Sequence, residues 1–177
     1  MKLRSFLKVI SLIILLLLFT LLANFRYYLF NINFYDKEFR KLDVYNILPQ
    51  EVALEQTRNL FVFFETGMLE TDFFNEREKL HLNDVRILIR TTLFLFYSTS
   101  ILLIFLIIIL RRKLAQVFIG AGASLFFLTI IFVLLNFSKF FLWFHTVAFT
   151  NNLWLLNPEV DRLIQLFPIG FFYDFVR

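Results

Sequence analysis

The sequence predicts an all-α membrane protein in which three transmembrane helices carry a small, mainly helical extracytoplasmic cap. Three observations lead there. Of the 177 residues, 59% are apolar and 20% aromatic, with only 4 Gly, 3 Pro and no Cys. Three runs without a charge are each long enough to cross lipid. The net charge of +4 lies wholly in short basic clusters that flank those runs. Disorder, collagen and disulfide-rich scaffolds are excluded, because each requires a polar, Gly-periodic or Cys-rich chain. Without Cys, the chain can neither carry a disulfide nor be a lipoprotein itself.

A positive balance also raises the question of nucleic acid, which the distribution of charge answers. Lys2, Arg4, Lys8, Arg111, Arg112 and Lys113 hold the whole excess; residues 26–90 have nine Lys/Arg against eleven Asp/Glu, and residues 139–177 three against three. Basic clusters beside apolar runs mark cytoplasmic helix ends. No nucleic-acid partner is expected.

The first element, residues 1–25, is an N-terminal transmembrane anchor, uncharged from Val9 to Phe25. A cleaved signal peptide would also begin with basic residues, but the segment LLANFRYY lacks the small residues of a cleavage site, so an anchor fits better. Residues 26–90 form a cap that runs into the second span. Residues 91–138 form a transmembrane hairpin with a basic cytoplasmic turn, its two runs being TTLFLFYSTSILLIFLIIIL and the 25 residues between Lys113 and Lys139. Each matches the roughly 20 helical residues that a bilayer of about 30 Å needs. Residues 139–177 form an interfacial aromatic segment and a cap helix. The basic clusters put both cap segments on the outer side.

Within the cap, residues 49–66 read as an amphipathic helix with Pro49 at its start, a stripe of Ala53, Thr57, Leu60, Phe61 and Phe64, and Gly67 after its end. A second helix opens at Asn75 with Glu78 three residues on, a capping box, and continues into the second span because no Pro or Gly interrupts it before Leu110. A third starts at Asn157 with Pro158 as first helical residue, carries Val160, Leu163, Ile164 and Phe167 on one face, and ends at Pro168.

The chain has two histidines, and the expected topology brings both near the outer interface. His81 precedes the Arg90 boundary by nine residues, about 14 Å of helix, and His145 sits in the aromatic stretch FFLWFH. Imidazole titrates near pH 6.5, so two in one confined site can divide the roles of base and acid. Glu78 and Asp84, three residues to either side of His81, share its helix face, where a carboxylate would orient the ring. His81, Asp84 and His145 are alternatively a metal-ligand set, which would make the protein a metal-dependent membrane hydrolase. No serine nucleophile elbow, P-loop or Gly-rich dinucleotide turn is present. A non-enzymatic anchor with a partner-binding cap is the remaining alternative.

Glu78, His81, Asp84 and Val85 read E-x-x-H-x-x-D-V; Phe144–His145 and Trp154 follow, then D-x-L-I from Asp161 to Ile164 and F-P-x-x-F-F from Phe167 to Phe172. In these motifs and their order the chain resembles the bacterial lipoprotein intramolecular transacylase family of small integral membrane proteins. The resemblance implies transfer of the sn-2 acyl chain of an S-diacylglyceryl cysteine to that cysteine's α-amine, which gives the N-acyl lyso form. His81 and His145 are then the catalytic pair, with Glu78 and Asp84 supporting them. The substrates are diacylglyceryl-modified lipoproteins held in membrane lipid, at the outer face of a bacterial plasma membrane. No cofactor or metal is implied. The family has a fourth span after F-P-x-x-F-F, whereas this chain stops at Arg177 and carries three.

For that chemistry, Asp84 beside His81 makes His81 the expected base and His145 the expected acid. Phe144, Phe149 and Trp154 would hold the substrate. Asn151, Asn152, the Trp154 indole and an imidazolium all remain open as oxyanion donors.

Overall fold

The computed structural model describes residues 2–110, 114–134 and 136–175. The basic turn from Arg111 to Lys113 and the final Arg177 lie outside them. Every regular element among the described residues is helical: α1 (Lys2–Leu29), α2 (Ile32–Lys41), a 3-10 turn (Val44–Asn46), α3 (Gln50–Thr66), α4 (Glu76–Leu110), α5 (Leu114–Leu134), α6 (Phe137–Ala148), α7 (Arg162–Leu166) and α8 (Ile169–Phe175). The chain divides into two compact units, residues 1–26 with 92–136, and residues 27–91 with 137–177.

The first unit is apolar inside and out. Leu12, Leu103 and Val117 are buried at its centre, with Ile13, Leu16, Phe19 and Leu106 packed around them. A Cβ on Gly120 would lie 2.5 Å from Cδ1 of Ile13, so α5 meets α1 at a small residue, as membrane helices do. Outward-facing side chains are large hydrophobics, including Ile14, Ile101, Phe126 and Ile119, the last 75% exposed. That surface suits lipid rather than water. Hydroxyls are satisfied within their own helices, as hydrocarbon requires: Thr20 donates to the Leu16 carbonyl at 2.8 Å, Ser100 to Phe96 at 2.6 Å and Ser124 to Gly120 at 2.9 Å. Among the described residues, two helices, over Leu7–Leu29 and Glu76–Ile109, are long and apolar enough to cross a membrane, and a shorter apolar stretch follows at Ala115–Ile130.

The third uncharged run is not one helix. α5 ends at Leu134 and α6 begins at Phe137. The break falls at Asn136, a residue type that favours helix starts over helix interiors.

In the second unit, Phe39 is wholly buried and touches the rings of Tyr35, Tyr45, Phe167 and Phe171 at centroid distances between 5.7 and 6.1 Å. Tilted and edge-on aromatic pairs of this kind pack a core with few polar demands, which gives much of the phenylalanine content a structural purpose. α2 had no counterpart in the sequence reading; it is capped by Asn31, whose side chain accepts the Phe34 N–H. α3 starts after Pro49 and ends at Gly67, whose φ of +89° is a left-handed terminus that favours glycine. Its buried face is Ala53, Gln56, Thr57, Leu60 and Phe63. The expected stripe is thus rotated slightly: Phe61 and Phe64 are only partly buried, and Phe63 takes the core position. Arg86 of α4 closes this helix end by donating to the Phe63 carbonyl at 2.9 Å.

The start of α4 follows its capping box. Glu78 N–H donates to Asn75 Oδ1 at 2.9 Å, and Asn75 N–H donates to Glu78 Oε2 at 2.7 Å. The third cap helix departs from expectation. Residues 157–160 form a turn, and α7 begins only at Arg162. Asp161 bends back so that its Oδ2 accepts the Asn157 N–H at 2.6 Å, which closes the turn where a helix was expected to run. Val160 consequently points outward while Leu163 is buried.

Candidate active site

His81 lies in the second turn of α4 and His145 in the third turn of α6. Both are buried, and their ring centroids are 6.3 Å apart with planes inclined by 34°. His81 lies in the charged N-terminal part of α4. The first turns of α4 carry Glu76, Arg77, Glu78, Lys79, Asp84, Arg86 and Arg90, whereas residues 91–110 carry no charge.

Aromatic rings surround His145. Phe141 is 4.2 Å away, Trp154 5.0 Å, Phe149 5.4 Å and Phe144 5.5 Å between centroids. Phe149 also stands edge-on to His81 at 5.0 Å, so one ring touches both imidazoles. The sequence brought forward Phe144, Phe149 and Trp154, and all three are here. It missed Phe141. That residue was within reach of the helical period, being four positions before His145.

The ring nitrogens are not equivalent. His145 Nδ1 lies 2.8 Å from the Phe141 carbonyl oxygen. A carbonyl can only accept, so in the neutral ring Nδ1 carries the hydrogen and Nε2 keeps its lone pair. His81 Nδ1 is buried with no hydrogen-bond partner. Burial pushes the His81 imidazole down from 6.5 to about 4, aided by the neighbouring His145 and opposed by Asp84. His145 is also lowered by burial, with its bond to the Phe141 carbonyl pulling the other way. Both rings are therefore held neutral at physiological pH.

The two carboxylates do other work than orienting His81. Glu78 is buried, and its oxygens take the N–H groups of Asn75 and Leu163. Helix ends leave such N–H groups unpaired, and a buried carboxylate between two ends satisfies one at each. Asp84 Oδ2 accepts from Asn151 Nδ2 at 2.9 Å. Asn151 is thereby occupied, its own Oδ1 accepting the Leu153 N–H at 3.0 Å, while the Asn152 side chain is exposed. The Asn152 and Leu155 carbonyls each accept from Arg77 Nη2 at 2.8 Å, a contact that sequence reasoning did not find. Among the described residues, no three His, Asp or Glu side chains gather as a metal ion would require.

An all-helical, membrane-integral protein with a caged pair of neutral histidines is the class that fold and site define. The chain belongs to the lipoprotein intramolecular transacylase Lit family, whose model matches residues 10–172. By that membership it is an acyltransferase. Its fold is similar to the solved structure of the membrane integral lipoprotein intramolecular transacylase Lit from Bacillus cereus, with a TM-score of 0.83 at 17% identity over 99% of this chain and 86% of that one. Two further structures of that protein are also similar. One, with a histidine replaced by arginine, has a TM-score of 0.75 at 18% identity over 98% of this chain and 85% of that one. The other, with a histidine replaced by alanine, has 0.76 at 18% over 97% and 83%. No curated protein matches the chain by sequence.

Proposed function

We propose that this chain moves the sn-2 acyl group of an S-diacylglyceryl cysteine onto the α-amine of the same cysteine, leaving an N-acyl, S-monoacylglyceryl lipoprotein. The observation that carries this reading is the pairing of the chain's only two histidines, 6.3 Å apart inside a cage of aromatic rings. The α-amine has a pKa near 8, so it attacks through its neutral fraction, and the ammonium formed on attack needs a base to take its proton.

The tautomers support moving the base from His81, where the sequence expectation put it, to His145, and making His81 the oxyanion donor. With its Nδ1–H given to Phe141, His145 offers the Nε2 lone pair and is the base. An orphaned buried N–H is rarer than an orphaned acceptor, so His81 keeps its unpartnered Nδ1 as a bare lone pair and carries its hydrogen on Nε2, as a donor. The amine nitrogen adds to the ester carbonyl carbon, and the carbonyl electron pair moves onto oxygen, where the His81 N–H stabilises it. His145 takes one proton from the new ammonium. The bond between the acyl carbon and the sn-2 oxygen then breaks, and His145 returns that proton to the departing oxygen. One proton leaves nitrogen and one reaches oxygen, so the site ends as it began.

Amine and ester belong to one molecule, yet attack closes a medium-sized ring that is entropically poor in solution. Phe144, Phe149 and Trp154 would hold the bent conformer, an orientation effect worth several kcal/mol. α1, the second half of α4 and α5 would be the three spans, with the N-terminus in the cytoplasm by the positive-inside pattern and the histidines at the outer face of a bacterial plasma membrane.

Co-expression with a diacylated lipoprotein, followed by mass spectrometry of its N-terminal lipopeptide, tests the reading. The wild-type chain should yield the N-acyl lyso product, and both His81→Ala and His145→Ala should abolish it. Full activity in both variants would overturn it.

A further inference from the structure

Residues 149–156, between α6 and the Asn157 turn, contain no helix, yet they carry both Phe149 and Trp154 to the histidines. A loop of this length without regular structure needs anchors if it is to hold a ring in place. Its anchors come from α4, on both sides of His81. Four residues before the histidine, Arg77 Nη2 donates to the Asn152 and Leu155 carbonyls, 2.8 Å each, which brackets Trp154 between two bonded positions. Three residues after it, Asp84 accepts from Asn151. Positions −4, 0 and +3 share one helix face. The face that presents His81 thus also grips the loop that sets Trp154 against His145.

We infer that residues 149–156 form a strap across the histidine pair, with Arg77 and Asp84 as positioning residues that fix it. This rests on the proposed function for its catalytic consequence, though not for its geometry. Asp84 then acts chiefly as an acceptor for Asn151. Asparagine at position 84 would still offer an oxygen to that amide, so charge at Asp84 is dispensable while the acceptor is not. Arg77 touches backbone only, which frees the identity of residues 152 and 155 but not their conformation.

The test uses the full-length chain in lipid with Trp143→Phe, which leaves Trp154 as the only tryptophan; Trp143 is exposed and its removal should not alter the basal rate. Arg77→Ala and Asp84→Ala should shift Trp154 emission to longer wavelength and lower kcat by about tenfold or more, the scale of a misplaced site. Arg77→Lys should recover much of both signals, and Asp84→Asn should stay within about threefold of the parent with unshifted emission, since the acceptor remains. Parental emission and kcat in both alanine variants would overturn the inference. So would an inactive Asp84→Asn with parental emission, which would mean that Asp84 acts through its charge. If the parent makes no N-acyl product but the alanine variants still shift emission, the strap stands and the proposed chemistry falls.

Discussion

Glu78 Oε1 accepts the backbone N–H of Leu163 at 2.6 Å, across 85 positions of sequence, while Oε2 caps the start of its own helix at Asn75. One buried carboxylate therefore fixes the first turn of α7 against the first turn of α4, one turn ahead of His81. Asp161 reinforces the junction by accepting from Asn75 Nδ2 at 2.9 Å. Both Glu78 contacts are to backbone N–H groups rather than to the imidazole.

Glu78→Ala leaves the buried Leu163 N–H and the part-buried Asn75 N–H without their acceptor, at about 1–2 kcal/mol each. Glu78→Gln also fails, because its amide nitrogen must face one of those donors. Each variant should lower the melting temperature in lipid or detergent by roughly 5–10 °C, on the scale of 2–4 °C per kcal/mol for a chain of this size. The pH profile of the remaining folded enzyme should match the wild type; an altered profile would restore a direct role on His81.

Gly120 gives a second test in the membrane-facing unit. Adding a Cβ brings it to 2.5 Å from Ile13 Cδ1, too close to stand without movement. Because that atom is the end of a flexible side chain, Gly120→Ala should cost only about 1–2 kcal/mol. Ile13→Val removes the clashing methyl, so the double variant should regain most of the loss in a thermal-shift comparison. Simple addition of the two single effects would show that the helices do not meet there.

What could be read from sequence followed from local rules. The α3 limits at Pro49 and Gly67, the Asn75–Glu78 box and the uninterrupted α4 each depend on residues a few positions apart. What could not be read depended on distant partners. The turn at Asn157 needs Asp161 to fold back on it, and α7 borrows its cap from Glu78, so a sequence pattern of Asn-Pro followed by apolar periodicity gave the wrong helix start. Likewise, the carboxylates beside His81 shared its helix face as expected, but face-sharing did not reveal that Asn151 and Leu163 would occupy them. Arg77 and Phe141 were each one helical turn from a histidine, and they became visible once the loop and the ring tautomer gave that spacing a use.

The two histidines should respond differently to glutamine. Gln retains an N–H donor near the position of the imidazole Nε2 but has no basic lone pair there. His81→Gln can still donate to the oxyanion and should keep measurable product formation, whereas His145→Gln loses the base and should fall by roughly 10²–10⁴-fold. Quantitative mass spectrometry of the lipopeptide at early times reads the difference. Greater loss at His81 than at His145 would reverse the assigned roles.

The pH dependence follows from the same neutrality. His81 is lowered from 6.5 to about 4 by burial, with the nearby His145 adding to the shift. Between those values the unfolded chain binds the proton that the folded chain refuses, so folding stability contributed by this group is present above pH 6.5 and is lost as pH falls toward 4. Catalysis responds differently. His81 is lowered to about 4 and burial holds His145 below its ordinary 6.5, so neither ring takes up its proton where a free imidazole would, and the group that titrates against the reaction near neutrality is the substrate amine, near pH 8. Initial rates should rise with unit slope from about pH 6.5 and level off near 8. A further break near 6.5, where the slope steepens toward two on the acid side, would mean that one histidine binds its proton as it would in water, and the dry, caged pair would not describe the working enzyme.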